Sequence, residues 1–175
     1  MIFCARRFNL YLLLTTVLLV AAGCVTDKKD KKIALLRVHI ESANYVNAAG
    51  KTVTLLRDKP VNIVIEPDPI LTEANVIAAT LLETPGGFAV EVKFDSSGSW
   101  MLEQYSAANP GKHFVIFGQW GDKLMNTRWL AAPIITHRVA NGILSFTPDA
   151  DRDEVKLLVQ GLNNNAKKNL KNSFK

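Results

Sequence analysis

The chain has 175 residues, a hydrophobic content of 48%, and 21 basic against 16 acidic residues, for a formal charge of +5. That length supports one domain with a real core, and two cysteines are too few for a disulfide framework. So small a positive excess is no nucleic-acid footprint.

Met1 to Arg7 carries two arginines and no acid, Leu10 to Val20 is apolar apart from Thr15 and Thr16, and Ala21-Ala22-Gly23 sets small residues before Cys24. A charged start, a short apolar run and a small-residue cleavage site make a secretory signal peptide over residues 1–23. The run is short against the roughly 20 apolar residues that span a bilayer. Ala21-Ala22-Gly23-Cys24 also resembles a bacterial lipobox, with alanine where leucine is commoner. That resemblance implies acylation of Cys24, which becomes the new N-terminus of a lipoprotein. An uncleaved anchor helix with an incidental cysteine is the alternative, and both place the domain outside the cytoplasm.

Cleavage removes Cys4, Arg6 and Arg7 and no acid, so the formal charge drops by two. With Cys24 lipidated, no pair remains for a disulfide, and the domain depends on its core. Residues 24–32 form a charged tether, with VTDKKDKK after the cysteine, polar and without periodicity. Its lysines add about 1 kcal/mol each if they sit near anionic headgroups. Val25 stands where an aspartate often signals inner-membrane retention, which favours the periplasmic face of the outer membrane.

Residues 33–86 are an N-terminal β-rich part. Ile33 to Glu41 alternates in part, and Asn44 to Lys51 connects. Thr52 to Leu56 and Val61 to Ile65 make a hairpin around Arg57-Asp58-Lys59-Pro60. Thr72 N-caps a helical turn over Leu71 to Asn75, Ile77 to Thr84 is strand, and Pro85-Gly86-Gly87 turns the chain. Phe88, Val90, Val92 and Phe94 then alternate with Ala89, Glu91 and Lys93, the clearest period-two pattern in the chain.

Asp95 caps the next helix, whose apolar face is Met101, Leu102, Tyr105 and Ala108, and Asn109-Pro110-Gly111 ends it. His113 to Trp120 is apolar on both faces, as a central strand is, and the strand–helix–strand order predicts a right-handed parallel crossover. Met125 to Leu130 and Ile134 to Val139 are weaker strands, and Asn141-Gly142 signals a hairpin before Ile143 to Phe146. Pro148 opens the last helix, with Val155, Leu158, Val159 and Leu162 as its core stripe. Residues 163–175 are a frayed basic tail. The pattern is α+β, a mainly antiparallel sheet with two or more helices on one face and a ferredoxin-like second half.

Residues 87–162 resemble the head subdomain of the first large periplasmic domain of SecD, the accessory subunit of the Sec translocon. The match lies in FDSSG at Phe94 to Gly98, ANPGKHFVIF at Ala108 to Phe117, AAPIIT at Ala131 to Thr136 and NGILSFTPDADRDEV at Asn141 to Val155. Asn141-Gly142 departs from the usual Gly-Gly, and a family glycine near Ser145 is absent. SecD also carries membrane-embedded carboxylates on helices that have no counterpart here. The resemblance therefore implies contact with exported polypeptides or Sec components, without proton conduction. An envelope scaffold with no link to secretion is the alternative, and a small-ligand sensor would need an enclosed pocket.

No constellation points to chemistry. Asp149, Asp151 and Asp153 open like an EF-hand loop, but Glu154 and Gln160 stand where glycine and glutamate belong. The acids instead complement the helix dipole. His39, His113 and His137 lack metal-ligand spacing, and no G-x-S-x-G elbow exists. The expectation is a non-enzyme with no cofactor and no metal site. Trp120 and Trp129 flank a turn and are candidate partner-binding residues if exposed, core residues if not.

Overall fold

The computed structural model describes residues 32–42 and 50–173. The signal segment, Cys24, nearly all of the tether, most of the Asn44–Lys51 connection and the last two residues lie outside them.

Among the described residues, nine strands and two helices follow one another as β1 (Leu35–Ile40), β2 (Lys51–Leu55), β3 (Val61–Ile65), β4 (Leu71–Thr72), β5 (Val76–Thr84), β6 (Gly87–Phe94), α1 (Ser96–Ala108), β7 (Phe114–Trp120), β8 (Asn126–Ala131), β9 (Ile143–Phe146) and α2 (Arg152–Ser173). Short 3-10 turns at Glu73–Asn75 and Asp122–Leu124 complete the order. The class is α+β, and every strand pairing is antiparallel.

The strands divide among three sheets, β4-β1-β7-β8, β2-β3 and β5-β6-β9. The expected parallel crossover through α1 is therefore absent. β6 leaves one sheet and β7 joins another, where it pairs with β1 from Leu35↔Gln119 to Ile40↔Phe114. The crossover rule constrains only strands that share a sheet.

Local chemistry sets most element ends. Thr72 caps the first 3-10 turn in a capping box with Asn75, and Asp95 Oδ1 accepts from the Gly98 N–H at 2.6 Å to start α1. Asp151 accepts at its carbonyl from the Val155 N–H, while its own N–H donates to Glu154. The last helix thus opens at Arg152 and not at Pro148.

One expected strand and one expected turn differ. Ile134 to Val139 makes a single bridge, Ile134↔His113, and no strand. Asn141-Gly142 is no hairpin turn either, because β9 pairs with β6. Gly142, at φ +68°, offers its carbonyl to the Phe94 N–H, and a Cβ there would collide with Ser99.

The larger core gathers β1, β6, β7, β8, β9 and both helices around Leu36, Val38, Val90, Val92, Leu102, Ile116, Trp120, Leu130 and Leu158. Val155, Leu158 and Leu162 are fully buried on α2, as their spacing predicts. On α1 the buried side is Gly98, Leu102 and Ser106, and the expected face fails at Tyr105 and Ala108, which are exposed. Ser106 is admitted inside because its hydroxyl bonds the Glu103 carbonyl and accepts the Val139 N–H.

Residues 163–173 are not a frayed tail; they continue α2. Asn163 bonds both the carbonyl and the N–H of Ala79 (2.8 and 2.9 Å), closing the free edge of β5 as another strand would. Asn164 and Asn165 donate to the Lys32 and Ala34 carbonyls. Composition cannot show this, because the partners lie more than 80 residues away.

Leu158→Ala should lower unfolding free energy by roughly 2–5 kcal/mol. Asn163→Ala should cost about 1–3 kcal/mol by stranding the Ala79 groups, whereas Lys167→Ala on the exposed side should stay within about 0.5 kcal/mol. Urea denaturation of the three variants checks the order, and a neutral Asn163→Ala would contradict the edge-closing role.

Candidate functional site

β5 and β9 are the two edges of the β5-β6-β9 sheet, and only β5 is closed by Asn163. Phe94 donates its N–H toward Gly142 just beyond β9, and Ala79, opposite Val92, faces Asn163. That alternation makes Val92↔Leu144 and Val90↔Phe146 the pairs that bond across to β9. The N–H and C=O of Ser145 are thereby directed to the open side. Ile143, the other outward residue, gives its N–H to Asn141 Oδ1.

Two open grooves border this edge and share Pro133. One, of about 590 Å³, lies between β9 and the segment 133–141, with Ile134, Ile135, Glu91 and Ser145 in its lining. The other, of about 410 Å³, lies between β9 and the β2–β3 hairpin, lined by Leu56, Val61, Ile63, Ala132 and Phe146. Leu56, Val61 and Ile134 are 45%, 46% and 55% exposed, so apolar surface flanks the edge on both sides.

The walls are fixed by polar contacts. Segment 133–141 is held by Phe114 N–H to the Pro133 carbonyl, Ile135 N–H to the Lys112 carbonyl, Val139 N–H to Ser106, and an Arg138–Glu103 ion pair. At the hairpin tip Leu56 takes φ +62°, a left-handed conformation costly for a side-chain-bearing residue. The next residue secures it, since both the N–H and Nε of Arg57 bond the Asp149 carboxylate at 2.9 and 3.1 Å. Arg128 joins from β8, donating to the Asp149 carbonyl and to Glu154. Burial alone would raise the Glu154 pKa, but the Asp151 N–H and the Arg128 guanidinium hold it below the usual value.

The two tryptophans chosen from sequence sit apart from this edge. Trp120 is wholly buried, with the Arg128 guanidinium 5.6 Å from its ring centre. It completes the core. Trp129 is half-buried, against Phe117 and edge-on to His39 at 5.5 Å, beside the smaller core of Val53, Leu55, Ile63, Ile65 and Val115. The exposed indole is Trp100, 63% accessible on α1. It lies about 200° around the helix from Leu102, and a wheel anchored on Gly98, Leu102 and Ser106 would have found it.

His113 pairs with Glu41 at 2.7 Å, and His137 contacts Thr136. His39 donates Nδ1–H to the Glu66 carbonyl at 2.9 Å. Among the described residues no three His, Cys, Asp or Glu side chains gather as metal ligands. Asp149 and Asp153 are engaged by Arg57 and Lys156. What the arrangement offers is a strand edge with apolar shoulders, able to pair with extended backbone and bury alternate side chains.

No family model matches the chain, and comparison with curated proteins finds no match. Solved structures do match. One reported as SecDF, a membrane component that enhances protein export, is 18% identical at a TM-score of 0.53, over 77% of this chain and 64% of that one. A second, SecDF in its super-membrane-facing form, is 20% identical at a TM-score of 0.54, over 77% of this chain and 19% of that one. The chain shares a fold with part of SecDF. Among the described residues, no helix is long and apolar enough to cross a membrane.

Burial lowers the pKa of His39 from its ordinary 6.5, more than the bond to Glu66 raises it. The unfolded chain therefore binds the proton first. Stability should be full above pH 6.5 and fall as the pH drops through the window between that value and the lowered one. Melting temperatures from pH 8 to pH 5 check this; His39→Gln should flatten the slope, and an unchanged slope would assign it to other groups.

Proposed function

We propose that this chain is a lipid-anchored cell-envelope protein that holds extended segments of exported polypeptides, or a strand of the Sec export machinery, along the open edge of β9. The observation that carries the reading is the outward N–H and C=O of Ser145 between two apolar grooves. An unfolded polypeptide in transit is rich in unpaired backbone and exposed apolar side chains, and such an edge satisfies both at once. The fold shared with SecDF supports a place in export. The lipobox-like Ala21-Ala22-Gly23-Cys24 supports an anchor outside the cytoplasm, with the periplasmic face of the outer membrane favoured by Val25. The protein performs no reaction; its contribution is capture.

Ser145→Pro tests this directly. Proline is tolerated at an edge position whose N–H faces outward, so the urea midpoint should move by less than about 1 kcal/mol. Strand addition, however, loses its donor. With a photocrosslinker at Ile134 in membranes of the native host, the full chain should recover exported polypeptides or Sec components, and Ser145→Pro should reduce that recovery several-fold. Equal crosslinking by both forms would remove the edge from the mechanism. Recovery of neither class would count against the export reading and for a scaffold.

A further inference from the structure

We propose that the C-terminal half of α2 is a docking face for an anionic phospholipid surface. From Val155 to Lys175 the chain contains no acid. Lys167, Lys168 and Lys171 are exposed, and no ion pair engages them among the described residues. Their spacing places all three within one side of the helix, and Leu170, 51% exposed, lies at its margin. Three lysines beside an outward leucine make a helix face that anionic headgroups attract.

The position of this face in the fold selects the partner. Asn164 donates to the Lys32 carbonyl at 2.8 Å, and Gly161 packs so closely on Ala34 that a Cβ would meet its backbone. The chain therefore enters the domain along this half of α2, and Lys168 stands one turn beyond Asn164 on the same side. Upstream of Lys32 come Lys28, Lys29 and Lys31, then Cys24 and the apolar run. At about 3.4 Å per step, the eight steps from Cys24 to Lys32 reach at most about 27 Å. A membrane holding the N-terminus is thus within a short reach of the lysines. The 3-10 turn packed against α2 brings Glu73, whose Oε2 is buried.

The proposal rests on a membrane-held N-terminus but not on the β9 edge. The test uses the full chain with vesicles of phosphatidylcholine alone or with about 30% phosphatidylglycerol, scored by flotation and amide hydrogen exchange. Expected is exchange roughly tenfold slower over residues 166–173 on the anionic vesicles, reversed by about 0.5 M salt and absent in Lys167→Glu/Lys168→Glu/Lys171→Glu. Exchange over residues 155–162 should not change, which reports an intact helix; if the triple variant disturbs it, the salt response of the wild type decides. Equal protection on neutral and anionic vesicles, or protection that ignores salt, would overturn docking while leaving the anchor standing. Flotation with neither vesicle would overturn both.

Discussion

One helix has to serve two sheets. Through Val155, Leu158, Leu162 and Ala166, α2 fills the larger core, and it packs against β5 and β6 of one sheet and β1 and β7 of the other. Neither sheet could bury its inner face without that apolar stripe. The helix also closes the edge of β5 through Asn163 and fixes the chain's entry through Asn164 and Asn165. Its polar residues are structural as much as its leucines are.

That division of labour leaves β9 as the unguarded edge of its own sheet. An open strand edge invites association, and proteins usually blunt it with charge, proline or cover. Here β5 is covered and β9 is not, although it has rigid walls on either side. The Arg57–Asp149–Arg128 cluster ties the hairpin wall to the start of α2, and Ser106 with Glu103 ties the opposite wall to α1. Such bracing suits a preformed groove, since a ligand entering it orders little that is not ordered already.

Sequence patterning revealed whatever depends on near neighbours. The alternation from Phe88 to Phe94, the Thr72 and Asp95 caps, the β2–β3 hairpin and the Val155–Leu162 stripe all follow from residues a few positions apart. Long-range partnership stayed hidden. No local pattern tells β7 to pair with β1 instead of running parallel to β6, and nothing in Asn163 announces Ala79. Nothing local to Ser106 announces the Val139 bond that lets it lie inside, and the sequence left Trp120 open between surface and core until the fold buried it. The β9 edge could not be read from sequence either, because a strand's edge status belongs to the sheet and not to the strand.

β1 is the first described strand and meets the two-residue β4 about 30 residues on, yet its long ladder, with β7, begins more than 70 residues later, and the carbonyls of Lys32 and Ala34 just before it await Asn164 and Asn165. Loop closure of that length must precede any return from the pairing. A chain emerging N-terminus first therefore has only the short β4 pairing to shelter Leu36, Val38 and Ile40 until β7 and then α2 have appeared. The hairpins β2–β3 and β5–β6 can form alone in the meantime. Maturation is thus tied to completion, and a truncated product would keep an adhesive first strand.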